Sequence, residues 1–332
     1  SNAEELQQIR ESPSGNYVLV DDIDLSGIDN FEPIENFTGT FDGNGHTISG
    51  LTIDRPGADR VALFGTVAED TRFIGLIEDE GTVRNVRLKD VNVTGSVAVG
   101  GLVGANSGEG VDSSVEGDVS GNSRVVGGFV GTNGGIVARS YATGNVTGNS
   151  NVGGVVGVNR GTVLESHADA IVTGNEWVGG LVGVNADEVR GSYAMSDVES
   201  SRGGGLVGYN VIDSTIRSSY ATGNVIGDGG GLVAGNDGEI EESYAAGNLT
   251  GESQGGLIGE FDGDVTNSYW DINLTGIRTS HGGTGLMTDE MTGEDARENM
   301  EGFDFNRTWE TVTNPDDYPR LAWQNDSTET NR

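Results

Sequence analysis

Short apolar segments recur along most of the chain at a nearly constant spacing, and glycine and polar residues separate them. One such segment is residues 178–185 (VGGLVGVN), and six others share its pattern of two glycines, an apolar residue and a β-branched residue. The second glycines of the seven copies are Gly101, Gly128, Gly154, Gly180, Gly205, Gly231 and Gly256. Successive members of this set stand 25 to 27 residues apart. A period this constant indicates a solenoid of stacked coils.

The residues around each glycine pair favour an extended chain. Leu181 and Val182 are typical: the first position after the pair is always apolar and the second is always β-branched. β-branched side chains suit strands, and adjacent glycines disfavour a helix. A second block, such as residues 134–148 (GGIVARSYATGNVTG), adds further apolar positions. Each unit therefore predicts about three short strands joined by glycine, asparagine and aspartate turns.

Short strands, a fixed period and the lack of any crossover helix predict an all-β protein, a parallel β-solenoid (β-helix). Adjacent coils of such a fold lie ~4.8 Å apart, so equivalent residues form ladders along the axis. We expect right-handed coils because parallel connections strongly favour that hand. The predicted boundaries are 4–60 for an N-terminal cap and first coils, 61–275 for the solenoid, 276–325 for a C-terminal cap and 326–332 for a tail. Residues 1–3 (SNA) are typical of the remnant of a cleaved tag.

The period predicts two ladders of chemically distinctive residues. An asparagine recurs five residues after the second glycine, at Asn106, Asn133, Asn159, Asn185, Asn210 and Asn236. A recurrent serine is followed by Tyr141, His167, Tyr193, Tyr220, Tyr244 and Tyr269. We predict that the amides bond to one another along the axis and to turn backbone groups, with a polar array for glycans as the alternative. The second set predicts an aromatic stack in which a histidine replaces one tyrosine.

The repeated unit resembles the GLUG motif, whose core is present here as Gly101-Leu102-Val103-Gly104. The flanks also resemble those of this family, in residues 17–27 (YVLVDDIDLSG), 39–53 (GTFDGNGHTISGLTI), 267–271 (NSYWD) and 318–323 (YPRLAW). The resemblance implies a secreted or surface-anchored protein with adhesin-like architecture. The same repeats accompany a metallopeptidase class that cleaves immunoglobulin. That activity requires a His-Glu-x-x-His sequence, and no histidine of this chain precedes a glutamate.

The chain departs from the repeat in two places. Ala234 stands where the motif has glycine, so we expect a looser or shifted coil there. The spacing between residues 62–65 (ALFG) and the first full copy is about half a coil too long. The excess, residues 68–80, is acidic and predicts a protruding loop, a common location for binding functions in solenoids.

Composition narrows the environment and the partners. Acidic residues outnumber basic residues 52 to 18, the net charge is −34, and Lys89 is the single lysine. This composition resembles that of proteins from extreme halophiles, with an acidic extracellular domain of another source as the alternative. Such a charge disfavours nucleic acid and anionic membranes. The absence of cysteine removes disulfides and thiolate chemistry, and no run approaches the ~20 apolar residues of a membrane helix.

Glycine-rich and acidic segments suggest further chemistry that their surroundings mostly exclude. No lysine or helix follows a copy of the repeat, so a phosphate-binding loop is not predicted. The segment from Asp22 begins like an EF-hand, but Pro33 replaces the final glutamate. Asp42, Asn44 and His46 fit a tight turn, with calcium as the alternative. His167 has no recurrent partner for a metal site. We expect no cofactor and at most weak surface cation binding.

Aromatic residues and sequons complete the candidates. Trp270, Trp309, Tyr318 and Trp323 follow the repeats and are predicted to cover the open end of the solenoid, with a sugar-stacking platform as the alternative. Candidate glycosylation sites are Asn36, Asn92, Asn306 and Asn325, of which Asn306 and Asn325 lie outside the repeat, and further sequons start at Asn145, Asn248 and Asn273.

The sequence as a whole favours a non-enzymatic extracellular module. We expect a monomer that acts at the cell surface as an adhesin-like surface for a glycan or protein, or as a rigid spacer. One alternative is a carbohydrate-active β-helix enzyme, a polysaccharide lyase or hydrolase; another is an accessory domain of a secreted peptidase. Carbohydrate-active enzymes need carboxylates at set distances, often beside a basic group. Outside the repeat pattern, nothing in the sequence brings an acid, a base and an aromatic residue together on neighbouring coils.

Overall fold

The computed structural model describes residues 2–68, 81–252, 254–311, 314 and 316–326. Within these residues, four parallel sheets of ten, fifteen, eight and six strands run along a β-solenoid of about nine turns. The predicted all-β parallel solenoid is confirmed. The predicted acidic loop, residues 68–80, lies outside the described residues except for Ala68.

The strands of each sheet are given in chain order. The ten-stranded sheet contains Tyr17–Val18, Thr40–Asp42, Thr82–Arg84, Glu109–Val111, Ile136–Ala138, Thr162–Leu164, Glu188–Arg190, Thr215–Arg217, Glu239–Glu241 and Asp264–Thr266. The fifteen-stranded sheet contains Ile23–Asp24, Thr47–Ser49, Thr52–Asp54, Arg87–Gly95, Ser114–Gly121, Tyr141–Thr147, His167–Thr173, Tyr193–Ala194, Asp197–Glu199, Tyr220–Ala221, Val225–Ile226, Tyr244–Ala245, Leu249–Thr250, Tyr269–Asp271 and Thr284–Leu286. The eight-stranded sheet contains Phe64–Val67, Val103–Asn106, Val130–Asn133, Val156–Asn159, Val182–Asn185, Val207–Asn210, Val233–Asn236 and Ile258–Glu260. The six-stranded sheet contains Arg124–Gly127, Ser150–Gly153, Glu176–Gly179, Gly203–Gly204, Gly229–Gly230 and Gln254–Gly255.

A coil in the middle of the solenoid has four strands, one more than the sequence predicted. The extra strand arises because the glycine-pair segment is two strands and not one: Arg124–Gly127 and Val130–Asn133 are separated by a corner. At that corner a Cβ on Gly128 would lie 2.2 Å from the carbonyl oxygen of Gly154 in the next coil. Glycine is therefore required where the chain turns between two sheets.

Equivalent residues of successive coils pair in register, so their apolar side chains form columns inside the solenoid. Val130, for example, pairs with Val103 on one side and Val156 on the other. The residues after the glycine pairs are fully buried and form one such column: Leu102, Phe129, Val155, Leu181, Leu206, Leu232 and Leu257. Each Å² of apolar surface removed from water stabilises the fold by about 25 cal/mol, and this gain drives the stacking of coils.

The coil that contains Ala234 is not loosened, since Val233–Asn236 keeps the register of its neighbours. The preceding coil shows why alanine is tolerated. A Cβ on Gly208 would lie 2.4 Å from the carbonyl carbon of Trp177, a residue with a left-handed φ of 54°. None of residues 199–204, which lie at the corresponding place beside Ala234, has a positive φ. Without that left-handed residue the backbone leaves room for one methyl group.

Short helices lie near both ends of the described chain. They are Ala3–Gln8, Ile272–Thr275, Thr288–Met291, Ala296–Asn299 and Trp323–Asp326, with a 3₁₀ turn at Ile9–Glu11. Leu6 and Ile9 bury their side chains in the solenoid core, so the N-terminal segment covers the first coil. In the described part of the chain, no helix has the length and apolar character that crossing a membrane requires.

The C-terminal segment, which follows the strand Tyr269–Asp271, covers the end of the solenoid and also packs along its flank. Thr284–Leu286 adds a strand beyond Tyr269–Asp271, and Trp270 belongs to the core there. Beyond that point the chain turns back along the flank, where Trp309–Glu310 and Arg320–Leu321 form an antiparallel pair. The sequence placed Trp309, Tyr318 and Trp323 over the open end. They lie instead beside the aromatic ladder.

Candidate functional site

The recurrent asparagines form a ladder inside the solenoid. Each Nδ2 donates to the Oδ1 of the next asparagine, with distances of 2.8 to 2.9 Å from Asn106 to Asn236. The same nitrogen also donates to the turn that follows, as from Asn159 to the Gly161 carbonyl oxygen at 2.7 Å. All six side chains are at most 2% exposed. A ligand outside the coil cannot contact them, so the ladder holds the turns together.

Five rings of the second set stack face to face along the fifteen-stranded sheet. Centroid distances between neighbours from Tyr141 to Tyr244 are 4.8 to 5.0 Å, and His167 takes its place in the stack between Tyr141 and Tyr193. The sixth member, Tyr269, contacts Phe303 edge-on at 5.7 Å.

The C-terminal segment covers most of this aromatic ladder and uses its hydroxyl groups. The Tyr244 hydroxyl donates to the Pro319 carbonyl oxygen and the Tyr269 hydroxyl to that of Glu301, both at 2.8 Å. Trp323 donates through Nε1 to the carbonyl oxygen of Gly191 at 2.8 Å. Tyr141, at the other end of the ladder, is 39% exposed. The ladder is thus mainly a packing surface for the chain's own C-terminal segment.

Burial within the stack lowers the pKa of His167 from its ordinary value of 6.5 to about 4. The ring is therefore neutral at physiological pH and resembles the tyrosines that flank it in shape and charge. Among the described residues, no three histidine or acidic side chains come together in a way that could hold a metal ion.

We expect acid to destabilise the wild-type protein relative to a His167→Tyr variant. A depressed folded-state pKa means that the unfolded chain binds the extra proton between pH 6.5 and about 4, so this contribution is complete above pH 6.5 and is lost as the pH falls towards 4. Urea unfolding of both proteins across this range checks the prediction, since all other titrating groups are shared. A constant difference in unfolding free energy would contradict it.

A group of partly exposed rings on the other side of the coil was not found from the sequence. Trp177 stacks on Tyr209 at 4.6 Å, and Phe261 lies 6.5 Å from the first and 6.0 Å from the second. We call these three residues the outer aromatic cluster. Trp177 and Tyr209 are half-buried and Phe261 is 41% exposed.

Charged groups border the outer aromatic cluster. The Arg202 guanidinium carbon lies 4.9 Å from the Trp177 ring centroid, and its Nε lies 3.4 Å from a Glu260 carboxylate oxygen. The Tyr209 hydroxyl donates to the Asp237 carboxylate at 2.5 Å. This hydrogen bond, with burial, raises the pKa of Tyr209 to about 12. The cluster thus combines apolar faces with one cation and two carboxylates.

Comparison with known sequences matches residues 199–226 to the family described as the GLUG motif. The matched stretch runs from Glu199, at the end of the strand Asp197–Glu199, to the end of Val225–Ile226, about one coil of the solenoid. The chain is also 37% identical over 137 residues to Halomucin of Haloquadratum walsbyi (strain DSM 16790 / HBSQ001). Both matches agree with a GLUG-repeat protein of haloarchaeal type. The predicted family resemblance is confirmed. The match to Halomucin covers 36% of this chain and 1% of that protein's length.

Two solved structures are similar to this solenoid. One, from Bacteroides ovatus and provisionally described as an immunoglobulin A1 protease, is 20% identical with a TM-score of 0.51, and the match covers 97% of this chain and 91% of that one. The other, an IgA1 protease, is 18% identical with a TM-score of 0.50, over 81% of this chain and 21% of that one. At these identities the likeness shows the fold alone.

The remaining candidate residues from the sequence lie at the surface. All seven sequon asparagines are exposed: Asn36, Asn92, Asn145, Asn248, Asn273, Asn306 and Asn325. In the predicted turn, Asn44 has a left-handed φ of 51°, and the Asp42 carboxylate accepts from the Asn44 backbone and from the side chains of Arg84 and Asn85. His46 lies 3.3 Å from the Asp22 carboxylate. Local hydrogen bonds thus engage the acidic groups of this turn.

Proposed function

We propose that this chain is a non-enzymatic module of an extracellular or cell-surface protein, where it acts as a stiff spacer that carries binding surfaces. The continuous register of the sheets is the observation that carries this proposal: the ten-stranded sheet pairs strand by strand from Tyr17–Val18 to Asp264–Thr266. Each coil is hydrogen-bonded to both neighbours, so bending the rod would break ladders in several sheets together.

The histidines and the recurrent asparagines, which could in principle take part in catalysis or binding, already have structural partners. His167 is part of the aromatic ladder, His46 pairs with Asp22, and His281 lies 2.8 Å from the Asp262 carboxylate. The recurrent asparagines hydrogen-bond to one another in the internal ladder. What remains outside is a strongly acidic surface with exposed sequons, which suits a glycosylated protein in a salt-rich extracellular setting. The similarity to Halomucin is consistent with such a setting.

A carbohydrate-active β-helix enzyme is the second candidate, and Glu35 is the residue that favours it. Burial raises the pKa of Glu35, while the nearby charges of Arg60 and Arg55 act in the opposite direction. A carboxyl group with a raised pKa beside arginines is the kind of group that serves as a general acid. The role of an accessory domain in a secreted peptidase also remains compatible with the fold.

We expect no turnover when the protein is incubated with neutral and acidic polysaccharides and reducing ends are measured over time. The matched control is Glu35→Gln, which removes the candidate acid and keeps the size of the side chain. Reducing ends released by the wild type and not by this variant would replace the spacer proposal by the enzyme. Release that continues unchanged in the variant would point to an enzyme with another catalytic group.

A further inference from the structure

The three residues of the outer aromatic cluster are departures from the repeat, and they converge from three different coils. The positions equivalent to Trp177 hold Ala98, Val125 and Asn151 in the preceding coils. Tyr209 pairs with Val184 on one side and Gly235 on the other. Phe261 stands where six other coils place the ladder asparagine. Stacking of the repeat does not require an aromatic ring at any of the three positions.

Two of these rings stand on a strained backbone. Trp177 has φ of 54° and Phe261 has φ of 69°. A left-handed conformation is unfavourable for a bulky side chain, at a cost of about 1–3 kcal/mol per residue, and such residues concentrate at functional sites. The left-handed φ at Trp177 belongs to the repeat, since the equivalent Ala98, Val125 and Asn151 have φ of 57°, 65° and 55°. Smaller residues occupy this corner in three preceding coils, so the fold does not require the large ring of Trp177.

The local geometry also depends on a missing side chain. A Cβ on Gly235 would lie 2.9 Å from the Trp177 ring and 3.1 Å from the Phe261 ring. Because position 235 is glycine, the two rings can approach each other over the outer face of the eight-stranded sheet. Tyr209 contacts both of them. The result is one continuous aromatic surface with polar groups at its edge.

We infer that the outer aromatic cluster binds neutral sugar residues of a glycan, an inference that rests on the proposed role as a surface module. The apolar C–H face of a pyranose stacks on a flat ring, and its hydroxyl groups donate to carboxylates such as those of Asp237 and Glu260. Arg202 supplies donors for ring and hydroxyl oxygens.

Charge selects the class of sugar. Two carboxylates border the cluster and can accept hydrogen bonds from the hydroxyl groups of a neutral sugar, whereas a uronate carboxylate placed against them has no hydrogen to donate. In molar salt, contacts between exposed charges are screened, whereas burial of apolar surface persists. A stacking site for neutral sugars is therefore suited to the halophilic composition of this protein.

The test measures binding of the full chain, in molar sodium chloride, to neutral hexasaccharides of glucose, mannose, galactose and N-acetylglucosamine. Calorimetry and tryptophan fluorescence report binding, and Trp177 is more exposed than the buried Trp270 and Trp309. We expect at least one neutral hexasaccharide to bind, and Trp177→Asn to weaken it by roughly tenfold or more. Phe261→Asn, which introduces the residue of the other coils, is expected to act in the same direction.

The matched control is Tyr141→Ser, which removes an exposed ring far from the cluster and introduces the residue that pairs with it in the adjacent coil, Ser114. Its affinity should stay within about twofold of the wild type.

Three results would overturn the inference: no neutral hexasaccharide binds, binding survives in Trp177→Asn, or hexagalacturonate binds more tightly than every neutral sugar. A concentration-dependent dimer that Trp177→Asn abolishes, with no sugar bound, would assign the cluster to self-association. None of these results releases reducing ends, so each is distinguishable from failure of the non-enzymatic proposal.

Discussion

Gly180→Ala is expected to destabilise the solenoid by more than about 3 kcal/mol. A Cβ at this position would lie 2.1 Å from the carbonyl oxygen of Gly205 in the next coil and 3.0 Å from the Ala194 side chain. The obstacle at 2.1 Å is backbone, which cannot rotate away as a side chain can. The coils would have to separate locally, and the apolar column beside Leu181 would lose contact. Urea unfolding at fixed salt, followed by circular dichroism, measures the change.

Gly134→Ala is the matched control, two coils away. There the nearest atom to a new Cβ is the Asn106 carbonyl oxygen at 3.6 Å, an ordinary contact distance, and φ is not left-handed. We expect a change within about 0.5 kcal/mol, or a slight stabilisation because the unfolded chain loses freedom. Equal unfolding midpoints for the two variants would show that close backbone approach does not determine glycine at the corner.

Asn159→Ala is expected to cost about 3–5 kcal/mol. The Asn159 side chain is fully buried, accepts from Asn133 at 2.8 Å and donates to Asn185 at 2.9 Å. It also holds the turn through hydrogen bonds with Gly161. Removing one amide leaves several buried polar groups without partners, and each such group costs about 1–3 kcal/mol.

The control for this ladder is Asn145→Ala, at an exposed position of the preceding repeat. Its amide donates to the Asp118 carboxylate at the surface, where water can replace the lost partner. We expect a change within about 0.5 kcal/mol. A comparable loss of stability in both variants, measured by urea unfolding, would mean that burial of the Asn159 ladder adds nothing to its hydrogen bonds.

The sequence was least informative where residues distant along the chain meet. Trp309 and Trp323 follow the last repeat, which suggested a cover over the open end. Their position is set instead by the apolar flank of the tyrosine ladder and by the Gly191 carbonyl oxygen, more than 100 residues earlier in the chain.

The outer aromatic cluster was missed because Trp177, Tyr209 and Phe261 belong to different repeat positions. A search for departures from the repeat at exposed positions is the signal that could have found it.

The sequence by itself determined the stacking of coils, the register of the strands and the two ladders of equivalent residues. These properties follow from the period, because parallel pairing places each residue beside its equivalent one coil away. The tertiary structure decided the division of the glycine-pair segment into two strands, the path of the C-terminal segment and the position of the outer aromatic cluster. Each of these depends on the direction in which the backbone turns at a corner. That direction is set by contacts between coils, such as the one between Gly128 and Gly154, and not by the local order of apolar and polar residues.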